Sequence, residues 1–452
     1  MPAAQGPEPD PTADSPAATD MQQDVVELVV DLIRIDTSNP GDSSGPGELA
    51  GAEYVAGRLA EVGIDSEIFS TTSSDRAGVS AYLPGTDPTL PPLLLTGHLD
   101  VVPAIAAEWT HPPFAGLIDD DGVIWGRGAV DMKGMVGMIL AAVRHWARKG
   151  ITLRRSIALL FTPDEEAGGH HGAHWIVENR PELLQGATEA LGEVGGYSVT
   201  LPNGRRVYPV QSGEKGLAWV TATVGGTAGH GSLIHHDNPV QHLILALAGV
   251  VQHGFEVQLT PAMARFVAVV EDLVGEPLVL DDRDRLADQV GSIARVLGAA
   301  VRTTVNPTML DAGYKHNIVP GVARAGMDLR FLPGQQEAAL AALRGYFPAV
   351  TDFTFENLDI ALETPFDGPL PDVITEVLGR FDPDGRVVPF LMTGGTDAKA
   401  FSKLGVRYFG FSPLRLPDDM EFWGMFHAAD ERVPVAALQF GVEVLEEVAR
   451  LA

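Results

Sequence analysis

Two hydrophobic periods alternate along the chain. Apolar positions three and four apart predict helices over 22–35, 48–62 and 134–148. Short β-branched or leucine-rich runs predict strands over 66–70, 78–82, 93–96 and 156–162. The turn residues of 39–47 mark a loop between the first two helices. Strands alternating with helices in this order predict a layered α/β domain with a largely parallel centre. The pattern changes near Gln211. Residues 218–224 alternate like a half-exposed strand, followed by a helix over 239–253, strands over 303–310 and 323–331, a helix over 335–346 and a strand over 352–358. That is the β-α-β-β-α-β order of a split βαβ sandwich, interrupted by an acidic, helical insertion over 261–297. From Leu370 the α/β character returns, with a helix, the turn Thr393-Gly-Gly-Thr-Asp397 and a C-terminal helix from Pro434. The expectation is one domain inserted into another. Residues 1–20 are read as a disordered tail, 21–212 and 362–452 as the two parts of the first domain, and 213–361 as the inserted α+β domain.

Composition narrows the chemistry. With 452 residues, 45% of them apolar, the chain can bury more than one core. It has no cysteine, which excludes disulfides, thiolate metal sites and thiol nucleophiles. Any bound metal must therefore take imidazole and carboxylate ligands, a set that suits zinc and less often manganese or cobalt. The formal net charge of −29 argues against nucleic acid and against anionic membrane surfaces as partners. An anionic substrate would need a local cationic pocket. No apolar run approaches a membrane span, and residues 1–20 carry neither Lys nor Arg nor an apolar core, unlike a secretory signal. A cytoplasmic protein is expected.

Two stretches carry most of the candidate chemistry: Leu95-Thr-Gly-His98-Leu-Asp100, and Asp164-Glu165-Glu166 after the strand ending at Thr162. Both set metal-ligand or acid/base side chains at the carboxyl end of an apolar strand, where open α/β sheets bind ligands. His98 and Asp100, two residues apart, project to one side of an extended segment. Asp100 could then accept a hydrogen bond from one imidazole nitrogen while the other faces a metal. A core histidine beside a capping aspartate would read the same way. Asp131, in Trp125-Gly-Arg-Gly-Ala-Val-Asp131-Met-Lys-Gly134, reads by itself as a helix cap, although a carboxylate there could also bridge two cations. Glu165 and Glu166 are neighbours and diverge, which suits one metal ligand and one general base, although a random acidic pair is usually a solvated turn. Glu193 and His427 are anonymous in isolation.

The ordered set is more specific than its parts. Thr96-Gly-His-Leu-Asp-Val-Val-Pro103 is followed by Gly126-Arg-Gly-Ala-Val-Asp-Met-Lys-Gly134, Asp164-Glu-Glu-Ala-Gly168, Glu214-Lys-Gly216, Gly229-His-Gly-Ser232, Asn317, Arg330, Gly394-Gly-Thr-Asp397 and His427. In this order, from about Val25 to the C-terminus, the chain resembles the dinuclear-zinc hydrolases that include acetylornithine deacetylase, succinyl-diaminopimelate desuccinylase, aminoacylase and bacterial glutamate carboxypeptidase. The resemblance implies an α/β zinc-hydrolase catalytic domain and an inserted lid and dimerisation domain, with a homodimer formed through the lid. It implies two Zn2+ per chain, with Co2+ or Mn2+ as substitutes. Asp131 would bridge them, His98 and Glu193 completing one site and Glu166 and His427 the other. Val194 interrupts the family's Glu-Gly-Gly run after Glu193. Glu165 matches the general base, Asp100 the aspartate that orients the first histidine, and the Asp131–Met132 bond a cis peptide. His230 resembles a histidine that polarises the scissile carbonyl, often from the partner subunit. Asn317 and Arg330 match residues that hold a substrate carboxylate, Arg330 by a bidentate fork. Gly395 and Thr396 would line the leaving-group side.

The implied substrate is a small N-acyl amino acid or dipeptide with a free carboxylate. Deacylation is favoured over dipeptidase or carboxypeptidase action, because no anchor for a free α-amine is identified. A catalytically silent, ligand-binding relative is the alternative of another class. Such proteins lose ligands or the base, whereas this chain matches all of them.

Overall fold

The computed structural model describes residues 19–42 and 44–452. Most of the expected tail lies outside them. Its last two residues depart from the expectation: Thr19 caps the helix Asp20–Arg34 and shares a capping box with Gln22.

The larger of the two main sheets has ten strands. Its centre is parallel: Ile157–Thr162, Leu93–His98, Glu189–Gly192 and Arg407–Gly410 run side by side in one direction. The hairpin Ser66–Ser70/Ala77–Leu83 extends one side antiparallel. On the other side Arg206–Glu214 pairs with Gly385–Met392, Val199–Thr200 and Leu362–Glu363. Leu93 and Leu95 face a core built with the helices Asp20–Arg34, Lys133–Lys149 and Val435–Leu451. Leu94 and Leu160 face the opposite core, with Ile176 and Phe401. Burial on both faces is why these strands read as unbroken apolar runs. The helix Lys133–Lys149 is buried on nearly every side. Gly137 lets it approach its neighbour closely, since a Cβ there would lie 2.4 Å from Val29 Cγ2.

The second sheet has four antiparallel strands in the order Thr304–Ala312, Val322–Phe331, Gly216–Gly225, Asp352–Asp359. The helices Pro239–His253 and Gln336–Gly345 pack on one face, where Val220, Leu243, Leu329 and Leu343 form a separate core. This is the split βαβ arrangement that the alternation predicts.

The insertion is helical, as expected: Pro261–Val274, Arg283–Val290 and Ala294–Ala300. It interrupts the lid in sequence, but none of its side chains belongs to the core on the lid's sheet. Met263, Phe266, Val270 and Leu297 instead share a core with Val207, Val388 and Phe390 of the larger sheet. Burying side chains of this size contributes roughly 1.5–3 kcal/mol each, so the insertion is anchored to the catalytic layer. No helix among the described residues is long and apolar enough to cross a membrane.

Candidate active site

Because the central strands are parallel, their carboxyl ends fall along one edge of the sheet. His98 ends one strand, Glu165 and Glu166 follow the next in a short turn, and Glu193 follows Gly192 on the third. Asp131 enters from the loop before Lys133–Lys149, and His427 from the loop before Arg432–Pro434. The structure brings all six together.

Asp131 stands between the two imidazoles. Its Oδ1 lies 3.0 Å from His98 Nε2 and its Oδ2 lies 3.4 Å from His427 Nε2. Glu193 lies 3.5 Å from His98 Nε2, and Glu166 lies 2.9 Å from His427 Nε2. Two groups of potential ligands, His98–Asp131–Glu193 and Asp131–Glu166–His427, thus share Asp131, the donor atoms of each lying within 4.8 Å of one another. Glu165 diverges from its neighbour to the His98 side, 3.9 Å from Nε2. The Asp131–Met132 bond is cis. Val194 takes a left-handed φ of 63°, a conformation that glycine adopts freely and a β-branched residue rarely. Glu193, directly before it, nevertheless stays within the cluster.

The donor set fits two divalent cations. Imidazole and carboxylate without thiolate suit zinc, cobalt or manganese. Glu166 Oε1 is buried with no hydrogen-bond partner, a polar atom that a cation would satisfy. The electrostatics agree. Burial, reinforced by Glu193, pushes Glu165 well above the carboxylate range. Burial and Asp131 push Glu166 up to about 7, and burial, against the pull of His98, pushes Glu193 up to about 8. Burial also opposes charge on Asp131 and on His98. Hydrogen bonds from the histidines nevertheless hold Asp131 far down, and the surrounding carboxylates hold His98 well up. Asp131 and Glu166 raise His427 to about 10. Acids this crowded stay ionised together only with cations among them.

Asp100 departs from its expected contact. His98 Nδ1 donates to the backbone carbonyl of Asp100 at 2.9 Å, and the Asp100 carboxylate is 3.6 Å away. That carboxylate instead accepts the backbone N–H groups of Glu165 and Glu166, at 3.1 Å each, and Asn39 Nδ2 at 2.9 Å. Asn39 is itself held by Arg76, which pairs with the fully buried Glu48. Sequence reasoning assigned no role to Asn39, Glu48 or Arg76. Only the Asn39-Pro-Gly turn gave a signal, and it reads as an ordinary loop.

The cluster opens into a cleft of ≈ 420 Å³ between the two sheets. His427, with 57% of its side chain exposed, faces this opening. Arg330 and Leu217 of the lid line the cleft, as do Gly395 and Thr396, and the insertion contributes Val296. Arg330 does not offer a free fork. Its Nε and Nη2 are taken by Asp328 at 2.8 and 3.2 Å, because residues two apart on the strand Val322–Phe331 share a face. The Thr396 hydroxyl donates to the buried Glu214, so it holds the 393–397 turn. A Cβ on Gly395 would lie 3.1 Å from Lys399 Nζ, which keeps this wall low. His230 and Asn317 are exposed and are not among the residues lining the cleft. His230 lies on Gly229–His230, which pairs with Ile318–Val319, and Asn317 directly precedes that partner, its carbonyl accepting Gly231 N–H.

The chain is also similar to known proteins. The chain is 28% identical over 430 residues to aminoacylase-1 of Sus scrofa, covering 93% of each. It is 29% identical over 376 residues to a probable carboxypeptidase S-like protein of Dictyostelium discoideum, covering 78% of this chain and 70% of that one. An M20 family metallo-carboxypeptidase from Sulfolobus solfataricus shares the fold with a TM-score of 0.69 at 20% identity, covering 94% of this chain and 98% of that chain. The model of peptidase family M20/M25/M40 matches residues 94–451, and the chain therefore belongs to that family.

Proposed function

We propose that the protein is a metal-dependent hydrolase that cleaves the amide bond of small N-acyl amino acids or dipeptide-like substrates with a free carboxylate. The observation that carries this reading is the pair of ligand groups sharing Asp131, with Glu165 beside them at the floor of the cleft. His98, Asp131 and Glu193 would hold one cation, and Asp131, Glu166 and His427 the other. Zinc is the metal that the cysteine-free donor set favours, with cobalt or manganese as substitutes. Bound there, such cations supply the Lewis acidity that lets water attack an amide near neutral pH.

The chain's own residues do the rest. Glu165, tethered through its backbone to Asp100, takes the proton of the attacking water and returns it to the departing amine. Arg330 meets the substrate carboxylate with the edge of its guanidinium that Asp328 leaves open. His230 polarises the scissile carbonyl and Asn317 helps hold the substrate, both from a second copy of the chain, in keeping with their absence from the lining of this chain's own cleft. A homodimer joined through the lid and a cytoplasmic location belong to the same reading. N-acyl amino acids are preferred over dipeptides. The similarity to aminoacylase-1 supports that order, and the carboxypeptidase-like relatives support peptides as the second choice.

The test is amine release by zinc-loaded protein from a panel of N-acyl amino acids and dipeptides, with Glu165→Ala as control. Turnover by the wild type that the variant lacks is the expected result. A folded protein that binds two metals and turns over no member would sink the substrate assignment. One that binds no metal would leave the silent ligand-binding relative.

A further inference from the structure

Glu431 lies four residues beyond His427 and is fully buried, yet it contacts no imidazole of the cluster. Its Oε1 accepts the backbone N–H groups of Val130 at 2.6 Å and Asp131 at 2.8 Å. Its Oε2 accepts the backbone N–H of Gly128 at 2.9 Å and Arg127 Nη1 at 2.8 Å. An ionised carboxylate has about four lone-pair sites, so Glu431 has no acceptor capacity left for a metal or a substrate. The loop can converge on one side chain because Gly128 sits at φ 90°, in the left-handed region.

The contact is braced at both ends. The Glu431 carbonyl accepts Gly126 N–H at 2.9 Å, and Arg432–Pro434 pairs antiparallel with Val123–Trp125. Arg127 reaches back to the carbonyl of His427 at 3.4 Å, and its guanidinium lies 5.0 Å from the centroid of the Trp109 ring. One C-terminal segment therefore carries a ligand, His427, and also grips the backbone of the residue shared by both ligand groups.

We propose that Glu431 is a positioning residue for the dinuclear centre, clamping the 127–131 loop so that Asp131 presents one oxygen to each metal position. The inference rests on the assignment of Asp131 and His427 as ligands. It predicts that the bridge is preformed before metal binds, and that its geometry depends on a side chain outside both ligand groups.

The variant is Glu431→Gln, whose amide NH2 sets a donor against the donors of the loop. Metal-free wild type and variant are titrated with zinc against a competing chelator, well below their unfolding temperatures, and the visible spectra of the cobalt-loaded proteins are compared. The expected result is about 10–100-fold weaker binding of at least one ion, as for other groups that orient metal ligands, together with a changed cobalt spectrum. Wild-type affinity and spectrum in the folded variant would overturn the proposal. If the variant does not fold, amide hydrogen exchange of metal-free wild type decides. The N–H groups of Gly128, Val130 and Asp131 should be protected, and exchange as fast as in open loops would overturn the clamp. Wild type that binds no metal, with those amides protected, would instead refute the ligand assignment and leave the clamp as an observed contact without that role.

Discussion

Asp100 Oδ1 accepts the backbone N–H of Glu165 at 3.1 Å, so the proposed base is held through its main chain by a residue on a different strand end. Asp100 Oδ2 holds Glu166 in the same way. Asp100→Asn keeps the shape but turns one acceptor into a donor facing an N–H. We expect kcat to fall about 10–100-fold with little change in KM, by the usual effect of losing a group that orients metal ligands. Steady-state kinetics on the metal-loaded variant checks this, and activity within about twofold of wild type would show the tether to be dispensable.

Glu165→Ala should lower kcat by about 10²–10⁴-fold, the usual contribution of a positioned proton-transfer group. It should leave two metals per chain, since Glu165 belongs to neither ligand group. Metal analysis alongside turnover separates the two effects, and loss of a metal in this variant would make Glu165 a ligand and not a base.

Metal affinity should rise with pH. Asp131 and Glu166 raise His427 to about 10 in the metal-free protein, so at neutral pH an incoming cation must displace its proton. Each displaced proton weakens apparent binding roughly tenfold per pH unit below the pKa. Chelator competition across about pH 6–9 measures the slope, and a flat profile would contradict the displacement of a proton from His427.

Burial opposes ionisation of Asp382, but Arg206 and Tyr208 more than offset it and hold its pKa below 3.8. A depressed folded pKa gives stability that is present above 3.8 and lost as pH falls through the lower folded value. The stability gap between wild type and Arg206→Leu should therefore hold steady from neutrality to about pH 5 and shrink below it. Urea unfolding at a series of pH values reads that gap directly, and a gap that widens on acidification would contradict the pairing.

Gly137→Ala should destabilise by about 1–3 kcal/mol through overpacking, although alanine is the better helix former. The added Cβ would lie 2.4 Å from Val29 Cγ2. A raised melting temperature would show that the two helices separate easily.

Much of this was legible in the sequence, for physical reasons that also mark where legibility ends. The strands ending at His98 and Thr162 are fully buried and so read as continuous apolar runs. Parallel pairing then sets their loaded ends side by side. The target of Asp100 was not legible, because an i, i+2 spacing suggests the imidazole while the real partners sit 65 and 66 residues away. The restraint on Arg330 could have been read, since Asp328 shares its strand face. The docking of the insertion could not, because an amphipathic helix declares that it has an apolar face but not which surface that face meets. Glu431 stood in view beside His427, but the amide of Asp131 that it accepts is 300 residues distant.

That separation ties the chemistry to the order of synthesis. His98, Asp131, Glu166 and Glu193 leave the ribosome before the lid, whereas His427 and Glu431 come after it. A growing chain would hold the parts of one proposed metal position before the lid is made and the parts of the other only after it. Full loading of the proposed centre would then report that synthesis has passed the lid: a chain halted within the lid lacks both His427, the proposed last ligand, and the side chain that holds the Asp131 loop.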